Sequence, residues 1–499
     1  MKLIKPLLLL LLLSNVSVYA DETKKDLTPN PYPEEKTVSS QHSVTIDGKT
    51  VNYTATAGNS FIFNDKGEKL GSIFYTAYTK KGSTPEKRPI TFAYNGGPGS
   101  ASVWLHLGTL GPRRVLMDKE GFPTKPPYKL VDNAYSILDL TDIVFIDPVG
   151  TGYSRVHDKG KDEDFHGVWE DIKSVSEFIR LYMTRNKRWA SPKYLIGESY
   201  GTTRSAGIAY HMGQNHGVYF NGIMLVSNVL NFSLDDFGHQ MSVLPPTTML
   251  PSYTAAAWYH KQLNAELQAD LDKAIEQAKD YALTDYALAL LQGDWLDESK
   301  KNQVADRLSE LTGLDKQLIL QNNLRIELND FLHHLLREQG KTVGRLDSRF
   351  VTEEIDAMNQ SGYRDPSYMA IHGPYTATIM DYFARELNYQ SDLKYHILGG
   401  GVKSWNYDEF VQENFDISKK LRHAMLRNPD MQIFVANGYY DFATPFFATE
   451  YTFSHMNLPK SLQDNINMTY YESGHMMYIR EHDLIKLKND IRNFFQRSL

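Results

Sequence analysis

Apolar and polar positions change rhythm along this chain, and the changes mark its parts. From Thr37 to about Tyr78 they alternate, as in SVTIDGKTVNYTATA and SFIFNDKGEKLGSIFYTAYT, the period of half-buried strands. Asp47-Gly48 and Lys66-Gly67 supply the turn residues. An antiparallel sheet is expected there.

The second rhythm pairs short, wholly apolar runs with longer amphipathic ones. RPITFAYN and TDIVFIDP read as buried strands. Between Gly167 and Arg185, the residues Val168, Ile172, Val175, Phe178, Ile179 and Tyr182 share one face at spacings of three and four, which predicts a helix. PKYLIG and NGIMLVSNVL follow as further strands. Strands alternating with helices predict an α/β fold: a mainly parallel central sheet with helices on both faces.

Across residues 233–400 the strand pattern disappears, and stretches such as LNAELQADLDKAIEQAKDYAL and LRIELNDFLHHLLREQ read as helical. MQIFVANGYYD and NINMTYYESGH then return as strands, and EHDLIKLKNDIRNFFQRSL closes as a helix. The expectation is a helical cap at 233–400, inserted into one α/β domain made of 37–232 and 401–499. A separate helical domain is the alternative, but the position between strands favours the cap.

The first twenty residues read as an export signal. Lys2 and Lys5 precede the apolar run Leu7 to Leu13, and SVYA ends on Ala20. That run is far shorter than the ~20 apolar residues a membrane span needs, so no stable membrane insertion is expected after cleavage. Residues 21–36 are polar and proline-bearing, which predicts a disordered lead-in. The 499 residues carry a formal net charge of only −7, with no basic stripe, so nucleic acid is not an expected partner. The absence of cysteine excludes disulfides, cysteine nucleophiles and thiolate metal sites.

Candidate chemistry begins at Gly197-Glu198-Ser199-Tyr200-Gly201, a G-x-S-x-G placed after a predicted strand and before a predicted helix. That sharp turn lifts the Ser199 hydroxyl clear of the backbone. The hydroxyl needs a base, and in such folds the order is serine, acid, histidine. Asp441 and His475 each follow a predicted strand, where an open parallel sheet gathers its reacting groups. Acyl transfer creates an oxyanion that needs two backbone donors. One is the N–H of Tyr200. The glycine-rich NGGPG after PITFAY is placed to give the other, assigned to Gly97, with Pro98 stiffening the turn. His333-His334 lacks the H-E-x-x-H spacing, so no metal site is expected, and serine chemistry needs no cofactor.

NGGPGS, DPVGTGYS, GESYG, NGYYDFATP and GHMMY occur in the order seen in the serine carboxypeptidases, which the chain resembles from Arg88 to Leu499. GRLDSR and GESYGTTR resemble the bacterial branch of that family. The resemblance implies an α/β-hydrolase fold and removal of C-terminal residues from peptides or proteins at acidic pH. It also implies that Asn95, the Gly96 N–H and Glu198 hold the substrate's terminal carboxylate. A protonated Glu198 donates a hydrogen bond to that group, whereas an ionised one repels it. The sequence departs from the family where cysteine is common, at Ser100, and at Gly201, Thr202 and Arg204. Trp104, His106, Tyr153 and Tyr440 are candidates for lining the pocket. An exported serine carboxypeptidase is the leading expectation. The alternatives are an esterase or acyltransferase with the same triad, and a secreted peptide-binding protein without turnover.

Overall fold

The alternating segment folds as an antiparallel meander of β1 (Thr37–Ile46), β2 (Lys49–Phe63) and β3 (Lys69–Lys80). The turns fall at the expected dipeptides, with Asp47 and Gly48 at φ 48° and 74° and Gly67 at 76°. The structure is a computed structural model that describes residues 35–157, 159–234, 242–354, 364–412 and 414–499. The expected export signal and most of the lead-in lie outside the described residues.

The meander joins a larger sheet through β3. The remaining strands are β4 (Ile90–Tyr94), β5 (Asp142–Asp147), β6 (Lys193–Ser199), β7 (Gly222–Asn228), β8 (Gln432–Gly438) and β9 (Ile466–Tyr471). Their order across the sheet is β1-β2-β3-β5-β4-β6-β7-β8-β9, and every pair from β5 onward is parallel. A two-residue strand, Arg155–Val156, also pairs with β3. This is an α/β-hydrolase sheet, with the reversal of chain order between β5 and β4.

Both faces of the central parallel strands are covered, which is why runs such as those of β5 and β7 are largely apolar. Ile143 and Phe145 of β5 point into one core, together with Leu487, Ile491 and Phe494 of the C-terminal helix Glu481–Ser498. Val144 and Ile146 point into the other, against Ile172, Val175 and Ile179 of α1 (Val168–Arg185). The helical face read from the sequence is thus the buried face of α1.

The chain between β7 and β8 is mainly helical. Helices α2 (Leu244–Tyr259), α3 (Leu271–Tyr281) and α4 (Glu298–Thr312) share a third core with Tyr440, Phe442, Phe446 and Phe447, which flank Asp441. Helix α5 (Pro366–Arg385) instead packs its Ile371, Tyr375 and Ile379 into the first core. The expectation that strands vanish here needs one correction. Lys341–Val343 pairs with Val351–Glu353 as a short antiparallel ribbon. Three residues per strand are too few to establish a period.

Candidate active site

Ser199 ends β6 and is followed at once by the helix Tyr200–Asn215. It holds φ 59° and ψ −131°, a conformation that costs a residue with a β-carbon about 1–3 kcal/mol. Small neighbours make the turn possible: a β-carbon on Gly197 would lie 2.1 Å from the Gly201 carbonyl oxygen. The helix that starts here has no side-chain cap, so its first N–H groups and positive dipole end face the site.

The glycine loop lies directly against this turn. A β-carbon on Gly96 would meet the Tyr200 nitrogen at 2.4 Å, so only glycine allows the approach. Gly97 follows at φ 101°. Without a disulfide, the loop is fixed by hydrogen bonds. Ser100 N donates to Gly96 O at 3.0 Å and Ala101 N to Ile397 O at 2.9 Å. Trp104 Nε1 donates to Ser100 Oγ at 2.9 Å. DPVGTGYS holds the loop's far end, where Ser102 N donates to Asp147 Oδ1 at 2.8 Å.

His475 lines the same cavity as Ser199 and meets Asp441. The Nδ1 of His475 lies 2.7 Å from Asp441 Oδ2, and Asp441 is fully buried. Its carboxylate also accepts from Ala443 N at 2.7 Å, Thr444 N at 3.1 Å and Thr444 Oγ1 at 2.6 Å. Burial works against the imidazolium, but the charge and hydrogen bond of Asp441 outweigh it and raise the His475 pKa. Ser227, at φ 49° where the β6–β7 register shifts, donates its hydroxyl to His475 O at 2.6 Å.

The opposite side of His475 is held by the loop of the short ribbon, which carries GRLDSR. His475 N donates to Leu346 O at 2.6 Å and Gly474 N to Asp347 Oδ2 at 3.1 Å. Phe442 N donates to Arg345 O at 3.1 Å and Ser348 N to Tyr440 O at 3.0 Å. One loop from the chain between β7 and β8 therefore grips both the Asp441 and the His475 segments. Asp347 is itself clamped by Arg349, with Nε 3.0 Å from Oδ1 and Nη2 2.7 Å from Oδ2.

Asn95, Gly96, Gly97, Glu198, Ser199, Tyr200 and His475 all line one cavity of about 330 Å³. Glu198 is 2% exposed. Burial pushes its carboxyl up to about 7, against the opposing pull of His475 and of hydrogen bonds from Tyr478 and Asn95. Tyr478 donates to Glu198 Oε2 at 2.5 Å. The Asn95 carbonyl oxygen of the side chain accepts from Leu105 N at 3.0 Å, which leaves the amide nitrogen for Glu198 and Tyr478. A carboxyl poised near neutrality thus sits beside a serine and a charge-stabilised histidine.

Of the candidate wall residues only Trp104 lines the cavity. His106 is buried on Phe145 and bonded to the Tyr78 hydroxyl at 2.6 Å. Tyr153 belongs to an aromatic cluster with Phe74, Phe383 and Tyr395, and Tyr440 packs on Tyr259. Tyr368 and Ile371 from α5, with Phe232, Leu346 and Tyr407, form much of the remaining wall. Apart from Leu346, which lies in GRLDSR, they come from segments without a motif, and nothing in the sequence marks them. Tyr478 and Thr444 did have one, since GHMMY and NGYYDFATP contain them.

The sequence model of the serine carboxypeptidase family matches residues 52–488. The chain is 27% identical over 176 residues to the pheromone-processing carboxypeptidase KEX1 of Yarrowia lipolytica, covering 35% of this chain and 26% of that protein. It is 26% identical over 176 residues to serine carboxypeptidase-like 40 of Arabidopsis thaliana, covering 34% and 33% respectively. The aligned part therefore spans a third or less of these relatives' own lengths. Among solved structures, a proline iminopeptidase of Mycobacterium smegmatis aligns with 13% identity over 89% of this chain and 98% of its own, at a TM-score of 0.35. The family match runs from β2 into the C-terminal helix and takes in the glycine loop, the serine turn and the buried histidine alike: the chain belongs to the serine carboxypeptidase family.

Proposed function

We propose that this protein is an exported serine carboxypeptidase that hydrolyses the last peptide bond of peptides through an acyl-enzyme, favoured at acidic pH. One observation carries the reading: the buried Glu198, held near neutrality, shares its cavity with Ser199 and His475. A hydrolase for neutral esters has no use for a protonated acid beside its nucleophile. A receptor for a terminal carboxylate does.

In the mechanism, Ser199 attacks the scissile carbonyl while His475 takes its proton and later returns it to the leaving amine. Asp441 orients the imidazole and stabilises its charged form. The N–H groups of Gly97 and Tyr200 receive the oxyanion, assisted by the helix N-terminus. Water then repeats the sequence on the acyl-enzyme. Asn95, the Gly96 N–H and protonated Glu198 hold the substrate's terminal carboxylate. An arriving carboxylate raises the Glu198 pKa further, because two like charges cannot share the site cheaply. Export is supported by Lys2, Lys5, the Leu7–Leu13 run and Ala20. Among the described residues, no helix is long and apolar enough to cross a membrane.

The test compares N-blocked dipeptides with their C-terminal amides from about pH 4 to about pH 8. Release of the last residue from the free acids at low pH, with amides gaining only as pH rises, is the expected result. Cleavage of matching esters with no release from either peptide would overturn it.

A further inference from the structure

Apart from its tyrosines, the cavity is lined by three titratable side chains: Glu198, His475 and Arg345. The first two belong to the proposed chemistry. Arg345 does not, and it is the one permanent cation among the described lining residues. It sits in the loop of the short ribbon, where its backbone is fixed on both sides. Its N–H donates to Asp365 Oδ1 at 3.2 Å and its carbonyl accepts from Phe442 N at 3.1 Å.

The side chain, by contrast, is exposed, and no described carboxylate lies within ion-pair distance of it. The nearby Asp365 carboxylate is occupied by the backbone N–H groups of Arg345, Leu346 and Ser367 and by the Ser367 hydroxyl. Arg345 therefore lines the cavity from a fixed backbone, with no described carboxylate paired to it. That charge reaches the reacting groups, since it opposes protonation of His475. Leu346, Met476, Ile371 and Tyr368 give the same cavity apolar and aromatic wall. An exposed cation at the cavity wall is screened by salt but still selects by sign.

We propose that Arg345 makes this site select substrates with an acidic side chain flanking the scissile bond. The inference rests on the carboxypeptidase reading and names its substrate class. The terminal carboxylate goes to Asn95 and Glu198, while Arg345 receives a side-chain carboxylate, with its planar guanidinium suited to a two-oxygen partner. Basic side chains at the same place meet like charge.

The experiment uses N-blocked tripeptides matched except for Glu, Gln or Lys at the last or the penultimate position. kcat/KM is measured for the wild type, Arg345→Gln, Arg345→Glu and Arg345→Lys. At one of the two positions the wild type should prefer Glu over Lys by about threefold to tenfold, the range of a partly exposed charge pair. The difference should lie mainly in KM and shrink as salt is added. Arg345→Gln should remove the preference, Arg345→Glu reverse it and Arg345→Lys retain part of it. Because each protein is judged by a ratio, partial loss of folded enzyme does not affect the outcome. A Glu-to-Lys ratio that is the same in the wild type and in Arg345→Glu, at both positions, would overturn the proposal. In parallel, Ser199 is labelled with fluorophosphonates carrying an anionic or a cationic tail. Faster labelling by the anionic reagent, reversed in Arg345→Glu, supports the role of Arg345 even where no peptide is cleaved. Failure of the peptidase reading is thereby separated from failure of this one.

Discussion

The Asp347 carboxylate accepts the backbone N–H of Gly474 at 3.1 Å, one residue before His475. Asp347 is locked in turn by Arg349, and both side chains are buried. The histidine segment is therefore positioned by an ion pair that does not line the cavity. Asp347→Ala should lower kcat per titrated active site by about tenfold to a hundredfold, the scale of a small misplacement of a reacting group. Asp347→Asn, which keeps an acceptor for Gly474, should lose less. Active sites are counted by fluorophosphonate labelling below the melting temperature. A purely stabilising pair would leave kcat per site unchanged in both variants.

The Glu198 carboxyl, pushed up to about 7 by burial, predicts a pH dependence with a definite sign. Below that value the group is neutral and donates to the substrate carboxylate. Above it the group is charged and repels, so kcat/KM for free-acid peptides should fall about tenfold per pH unit. His475 acts in the opposite sense, since it must be neutral to accept the serine proton and its pKa is raised by Asp441. The acidic preference should therefore appear in KM, while kcat rises with pH. Glu198→Gln should abolish the alkaline fall for free acids and leave the rise in kcat. An alkaline limb that persists in the Gln variant would remove Glu198 from carboxylate capture.

Much of this site was legible before the structure because its parts are backbone devices. A β-carbon at Gly96 or Gly197 would collide with main-chain atoms, so the chemistry left a mark in glycine spacing. The fold was legible for a similar reason: β5 and β7 are buried on both faces, and wholly apolar runs mark them. The walls were not legible. Tyr368 and Ile371 come from a helix that also buries Tyr375 and Ile379, and the sequence does not distinguish cavity from core. GRLDSR was visible as a resemblance, but its grip on the two distant loops runs largely through backbone groups of Arg345, Leu346 and Ser348. Such contacts leave no requirement on side-chain identity.

The strained backbone of Ser199 sets function against stability at a single residue. Its φ of 59° with ψ −131° is open to glycine and costly for anything larger. Ser199→Ala should lose at least about 10⁴-fold in kcat while keeping the strain and the fold. Ser199→Gly should be equally inactive yet more stable than Ser199→Ala by about 1 kcal/mol, the strain relief less the entropy of an added glycine. Urea unfolding with equal slopes for the two variants measures the difference. An alanine variant as stable as the glycine variant would show that the turn stores no strain.

Arg204 links the serine helix to the glycine loop. Its Nε donates to Asp171 Oδ2 at 2.7 Å and its Nη1 to the Asn95 carbonyl at 2.7 Å. The guanidinium also lies 5.2 Å and 5.3 Å from the ring centres of Tyr94 and Tyr200. Arg204 is 1% exposed, so its departure from the family pattern acts on the loop rather than on the substrate side chain. Arg204→Met should cost about 3–5 kcal/mol, because Asp171 is left buried without a partner. Arg204→Met with Asp171→Leu should recover much of that stability. It should not recover the Asn95 carbonyl bond, so KM for free-acid peptides should stay elevated while KM for the amides moves less. Stability and free-acid KM recovering together in the double variant would mean that Arg204 only fills the core; recovery of stability alone assigns it to holding Asn95 in place.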